Sequence, residues 1–282
     1  MNKNNSVGRH AFRVFIYVFC ILLALLSLFP FIIMIINATR STYEIQQNGI
    51  SLLPSGFLTS NFLILTGKTF DPIKGFFNSV IISSGATVLA IYFSTLTAYA
   101  LVAYSWKMRQ AFFTLILSVM MIPAQVTSIG FYKFMYQIGM SNNLLALILP
   151  AIAAPATVFF MRQYMLASLS LELVDSARID GSGEFSTYNR IVLPIMKPAM
   201  ATQAIFTFVA SWNNLFLPLI LLTNNDKYTL PIMVSLLRGD IYKTEYGAVY
   251  LGLTLTVLPL FVIYFLLAKY IIAGVALGSI KG

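Results

Sequence analysis

Long apolar runs separated by short polar connections set the pattern of this chain. About 20 apolar residues cross a bilayer as a helix. Six runs reach that length, at 14–36, 76–104, 111–132, 143–166, 198–222 and 247–272. They predict an all-α integral membrane protein with six transmembrane helices in a single domain, 14–272, between a polar N-terminus, 1–13, and a tail, 273–282. The second run carries Ser83, Ser84, Gly85, Ser94, Thr95 and Thr97. Small and hydroxyl residues let helix backbones approach closely, so this span is expected to pack against its neighbours. In the third run Pro123 is expected to introduce a kink. Two connections are longer, 37–75 and 223–246, and hold Gly49, Pro54, Gly56, Gly67, Pro72, Gly75 and Gly239, the punctuation of exposed loops.

The connection between the fourth and fifth runs, about 168–197, is different. It contains Glu172, Asp175, Asp180 and Glu184, four of only nine acids in the protein, interleaved with Arg178 and Arg190 and flanked by Arg162 and Lys197. Lipid excludes such a segment, so it faces water or a partner. It reads as two short helices around a Gly-Ser-Gly turn. Ser170 caps the first, with Glu172 near the positive end of its dipole. Leu173, Val174 and Ala177 share one side of it. Gly181 and Gly183 end it and permit unusual backbone angles. Phe185, Tyr188, Ile191 and Val192 recur at helical spacing as a second apolar face. Leu193-Pro194 and Lys197-Pro198 close that helix before the fifth span. Four acids oppose adsorption to a negative lipid surface, so docking into a protein groove is the better physical reading.

Composition narrows the picture without changing it. The 282 residues are 59% hydrophobic and 10% charged, against roughly 25% charged in soluble domains. The net charge of +9 is not a nucleic-acid signal, because the basic residues form no patch with interleaved aromatics. They sit mostly in the connections, where they suit anionic headgroups. Lys3, Arg9 and Arg13 before the first span, with Lys107 and Arg109 in the tight turn after the second, place both termini and the charged loop on the cytoplasmic side. Cys20, the single cysteine, lies in an apolar run and His10 is the only histidine, so neither a disulfide nor a metal or cofactor site is expected. Asp175, Asp180 and Glu184 have no histidine beside them for acid–base work. Gly181-Ser182-Gly183 is not followed by the Lys-Ser/Thr of a phosphate loop. No catalytic residue is assigned, and the chain is not read as an enzyme.

Asp175-Ser176-Ala177, three residues, Gly181, nine residues, then Ile191-Val192-Leu193-Pro194 resembles the EAA motif of permease subunits of bacterial ABC importers. The wider context, Glu172-Leu173 through Arg178-Ile179-Asp180-Gly181, is similar to carbohydrate importers of the maltose-permease G-subunit type. Asn78-Ser79, Ile122-Pro123 with Gln125, Trp212-Asn213 with Pro218-Leu219, Leu230-Pro231 and the ending Ile280-Lys281-Gly282 extend the likeness along most of the chain. It departs where Asp175 and Ser176 replace the usual Glu and Ala, and where Ser170 and Gly130 replace common prolines.

The resemblance implies that the 168–197 loop is a coupling helix seated in a cleft of a cytoplasmic ATPase. Glu172, Asp175, Ser176, Ala177, Arg178, Asp180, Gly181, Ile191, Leu193 and Pro194 would form that site, with Asp175 and Arg178 as anchors and Ala177 and Gly181 giving close approach. It implies a homologous second permease, two ATPase copies, an extracytoplasmic solute-binding protein at the 223–246 loop, a sugar or oligosaccharide as solute, and residence in the bacterial inner membrane. The tail would touch the ATPases. Gln125, Trp212, Asn213 and Asn214 have two readings. They line the sugar path, with Trp212 stacking on a sugar face, or they make interhelical hydrogen bonds worth about 0.6–2 kcal/mol. An ion-coupled secondary transporter or a channel remains the alternative, although such proteins usually carry charge within their spans.

Overall fold

The computed structural model describes residues 4–67, 70–237 and 244–279, with side chains described from 12 to 265 apart from Ala124. Lys3, Gly239 and the final Ile280-Lys281-Gly282 lie outside the described residues, as do the side chains of Arg9 and His10. Among the described residues the regular structure is entirely helical. Five helices among the described residues are long and apolar enough to cross a membrane, or six when one sharply bent pair is counted as a span. Two compact units emerge, Met1–Phe70 with Val234–Leu255, and Asp71–Met233 with Thr256–Gly282.

The first unit begins with α1 (Asn4–Asn37). The connection after it is not a plain loop, contrary to expectation. It folds into α2 (Thr42–Gln47) and α3 (Leu58–Thr66). Ser41 caps α2 through a reciprocal box: its hydroxyl accepts the Glu44 N–H, and the Glu44 carboxylate accepts the Ser41 N–H at 2.9 Å. Arg40, 7% exposed, donates to Asn37 Oδ1 at 3.0 Å, Asn48 O at 2.7 Å and Glu44 O at 2.9 Å. Asn61 donates to the carbonyls of Ala38 and Arg40, both at 2.9 Å. Gly247 lies so close to Arg40 O and the Asn61 amide that a Cβ there would collide with both.

The second unit is organised around α4 (Pro72–Ala103), whose N-cap Asp71 accepts from the N–H groups of Ile73 and Lys74. Ser83, Ser94 and Thr95 of α4 are buried as expected, and Gly85 lies against Ile148. Thr87 and Thr95 return their hydroxyls to the carbonyls four residues back. Lipid is as apolar as leucine, so close packing rather than exclusion of water holds such helices together. α4 packs against α8 (Pro155–Ser168) and α11 (Leu193–Trp212). Met161, Met165, Tyr188, Val192 and Met196 fill the space between them.

Two spans differ from the sequence expectation. The third is broken: α5 (Arg109–Met120) and α6 (Ala124–Gln137) meet at a 100° bend, with Pro123 as the N-cap of α6. Proline removes an N–H and excludes the helical carbonyl behind it, so two helices replace one kinked helix. The fourth begins with α7 (Leu145–Ile148) and a 3-10 turn (Leu149–Ile152) before α8.

The fifth span starts earlier and stops earlier than expected. α10 (Glu184–Thr187), a π turn (Tyr188–Val192) and α11 form one apolar helix, Glu184–Trp212, so Pro194 and Pro198 do not close a separate surface helix. The π turn explains the tolerance. The ring of Pro194 would press on the carbonyl four residues back, at Arg190, and that residue sits in the widened turn. Leu193 N–H instead reaches Tyr188 O, five residues back. Beyond Trp212 the chain breaks at Asn213–Leu215 and resumes as α12 (Phe216–Leu221). The 223–246 connection contains a 3-10 turn (Asn225–Lys227) and α13 (Leu230–Leu237), and leads to α14 (Tyr246–Ser279), which continues helically into the expected tail.

Candidate functional site

The charged connection is built on α9 (Leu171–Ile179) and the start of the fifth span. Ser170 occupies the N-cap position of α9 without a side-chain capping bond, so its expected cap is absent. Val174 and Ala177 turn inward, but Leu173 is 45% exposed, so the inner face is narrower than the spacing suggested. Gly181 ends α9 with φ +79°. Its N–H donates to Arg178 O, and the Ser182 N–H donates to Ala177 O. A Cβ on Gly181 would meet nothing within 4 Å, so within this chain the glycine serves the left-handed backbone rather than a close approach. Thr187, fully buried, donates to Gly183 O or Ser182 Oγ and pins the turn.

Arg178 is the hub. Its Nε donates to Glu184 Oε1 at 2.8 Å, and its Nη1 donates to Asp175 Oδ1 at 3.1 Å. The guanidinium carbon stands 5.2 Å from the centre of the Tyr104 ring. Hydrogen bonding to Glu184, which outweighs partial desolvation, lifts the Arg178 pKa further above its already high value. Glu184 Oε2 also accepts hydrogen bonds from the hydroxyls of Tyr104 and Tyr99. Burial pushes the Tyr104 phenol up, and its bond to the Glu184 carboxylate adds to the shift. One carboxylate thereby ties α9, the end of α4 and the start of the fifth span.

Glu184, Tyr99 and Tyr104 were not singled out as site residues from the sequence. Glu184 carried a signal, an acid six residues beyond Arg178 across a glycine turn. The tyrosines carried none, because they belong to another span. Deeper in the bundle Tyr188, 1% exposed, donates to Tyr92 O at 3.0 Å, and its ring centre lies 5.7 Å from those of Tyr92 and Tyr99.

The outer surface of the loop is a mixture of charge and apolar side chains. Ile179 is 86% exposed and Phe185 71%, with Leu171 and Leu173 exposed beside the acids Glu172, Asp175 and Asp180. Phe185 therefore leaves the expected second apolar face, whose inward part reduces to Tyr188 and Val192 with Ile191 half-buried. Ser176 is exposed and donates to Glu172 O at 2.8 Å. Leu193 is half-buried and Pro194 exposed where α11 begins. Arg162, behind the loop, stacks its guanidinium 4.1 Å from the Phe113 ring centre.

A second feature is a cavity of about 250 Å³ within the second unit. Thr127, Ser128, Phe131, Ser211, Asn214 and Pro218 are among its walls. Of the four expected path residues only Asn214 reaches it. Gln125 and Asn213 are exposed. Trp212 is 1% exposed, stacks on Phe208 at 5.7 Å, and donates its indole N–H to Thr256 O at 3.1 Å. It departs from the expected stacking surface and has the geometry of an interhelical hydrogen bond. Among the described residues no group of three or more His, Cys, Asp or Glu side chains converges on a metal position.

The family model for the binding-protein-dependent transport system inner membrane component matches residues 90–276, a segment that holds the charged loop and the cavity-wall residues named above. The chain belongs to this family. It is therefore an integral inner-membrane permease component, and the spans above are those of an ABC-type permease. The arabinooligosaccharides transport system permease protein AraQ of Halalkalibacterium halodurans is 37% identical over 262 residues, 92% of this chain and 93% of that protein. The lactose transport system permease protein LacG of Rhizobium radiobacter is 34% identical over 260 residues, 92% of this chain and 93% of its own length. A crystal structure of a bacterial ABC transporter involved in the import of the acidic polysaccharide alginate contains a chain with a TM-score of 0.77 and 21% identity, covering 96% of this permease and 98% of that chain. That likeness concerns the fold.

Proposed function

We propose that this permease forms half of the translocation path of an importer for a sugar or oligosaccharide, coupled to ATP hydrolysis on separate subunits through the 168–197 loop. The observation that carries the coupling assignment is the loop's construction. A charged clasp presents exposed Ile179 and Phe185 together with exposed acids, a surface of the kind that docks in a protein groove. Asp175, Arg178 and Glu172 serve as polar anchors, and Gly181 sets the turn that aims them. Ile191, Leu193 and Pro194 carry the movement along the fifth span. The solute class is supported by relatives named for arabino-oligosaccharide and lactose transport.

The partners on this reading are a homologous second permease, two copies of an ATPase subunit, and a solute-binding protein that delivers sugar on the far side of the membrane. Both termini and the charged loop face the cytoplasm on this reading, which the basic residues around the first spans support. The cavity beside Asn214 and Ser211 belongs to the path. ATP binding closes the ATPase pair, displaces the docked loops, and tilts the bundles between two states of access.

Reconstitution in liposomes with the partner subunits tests this reading. Asp175→Lys inverts an anchor, and Gly181→Arg strains a backbone at φ +79° and places a bulky cation on the docking surface. Each is expected to abolish ATP-driven sugar uptake while the chain still inserts in the membrane. Normal uptake by both variants would refute the coupling role. Ion-driven uptake by this chain alone would instead support the secondary-transporter alternative.

A further inference from the structure

The loop is joined to the bundle at more places than its own sequence contains. α4 contributes no residue to the 168–197 segment, yet its Tyr99 and the Tyr104 at its C-cap hold Glu184, and its Tyr92 carbonyl accepts the Tyr188 hydroxyl. The helix that leaves the loop is thus fastened to α4 at two levels, one at the C-terminal end of α4 and one deeper inside the bundle. Both fastenings depend on the π turn. It begins at Tyr188 and holds one more residue than an α turn. Without that residue, everything before it would rotate about 100° around the helix axis relative to α11. Glu184 would then face away from Tyr99 and Tyr104. Wide turns of this kind are rare within helices and are often found at functional sites.

We propose that Glu184 and Tyr188 are positioning residues that join the loop to α4 as well as to α11, so that a displacement of the loop moves both helices as one body. This rests on the reading of the loop as the ATPase-docking element. Docking itself falls to the exposed side chains, Ile179 and Phe185 foremost, whereas Glu184 and Tyr188 act behind them. Transmission and docking are therefore separable: loss of the first leaves ATP hydrolysis running with less solute carried.

The test uses the complete importer in liposomes and measures solute transported per ATP hydrolysed, with co-purification of the ATPase as a parallel readout. Glu184→Ala and Tyr188→Ala are expected to retain the ATPase and its activity while transport per ATP falls about fivefold or more, the lower range of site-to-site coupling. Tyr188→Phe, which loses only the bond to Tyr92 O, falls by less, and Glu184→Gln lies between wild type and alanine. These two volume-preserving variants decide the matter if the alanine variants do not reach the membrane. An unchanged transport ratio overturns the proposal, and so does loss of the ATPase from Glu184→Ala, which would make Glu184 a docking residue. A wild-type chain that never binds an ATPase overturns the underlying reading as well.

Discussion

Two arginines anchor two regions of this protein in opposite ways. Arg40, 7% exposed, is satisfied by neutral acceptors: two backbone carbonyls and an asparagine side chain. Arg178, with 31% of its side chain exposed, is held by the carboxylates of Asp175 and Glu184, themselves 65% and 49% exposed. A buried cation that satisfies carbonyls cannot be removed without orphaning them. A half-exposed ion pair contributes little to stability, because water competes for both partners. The first arrangement keeps a connection folded. The second keeps a surface shaped for something else, at small energetic cost.

The glycines of the two regions should separate most sharply. Gly247→Val drives a branched side chain into Arg40 O and Asn61, and backbone cannot yield there as a side-chain tip would. No folded chain should be recovered from membranes. Gly181→Ala meets open space and loses only the favourable left-handed backbone, about 1–2 kcal/mol, and the chain should still be recovered. Equal yields of the two variants would break the contrast.

The arginines come next. Arg40→Ala should cost about 3 kcal/mol through unsatisfied buried acceptors, seen as a lower melting temperature in detergent. Arg178→Ala should cost about 1 kcal/mol or less, while ATP-driven uptake by the assembled importer falls sharply. A larger melting shift for Arg178→Ala would make the clasp a stability element.

The smallest effect concerns pH. The Ser41 N–H bonding to Glu44 holds that carboxyl below its usual range, with Arg40 a minor contributor. A depressed folded-state pKa adds stability above the unfolded value, near 4.3, and that stability is lost as pH falls through the folded pKa. Melting should therefore be flat between pH 7 and 5 in this respect. Below about pH 4 Glu44→Gln should be less acid-sensitive than wild type. Identical acid profiles would remove the α2 cap from the comparison.

Much of this was legible along the chain. Apolar runs long enough to cross a bilayer marked the spans, and a density of acids unlike anything else marked the loop. Local periodicity could not reveal which residues meet from different spans. Nothing near Tyr99 or Tyr104 announces Glu184, and nothing near Trp212 announces the carbonyl of Thr256. Proline misled in both directions. Pro123 breaks its span outright, whereas Pro194 is absorbed by a widened turn whose only sequence trace is the proline itself. Between Asn37 and Phe70, glycine and proline suggested loop, because the burial of Arg40 and Asn61 depends on partners up to 23 residues away in sequence.

The unbroken run from Glu184 to Trp212 has a mechanical meaning. Its 29 residues form a rod about 43 Å long at 1.5 Å per residue. A rod of that length tilted by about 5° sweeps its far end through about 4 Å. Ser211 stands at that far end, on the wall of a cavity of about 250 Å³. The helix is thus a lever arm. A tilt that barely moves the Glu184 end displaces the cavity wall at the Ser211 end by about 4 Å.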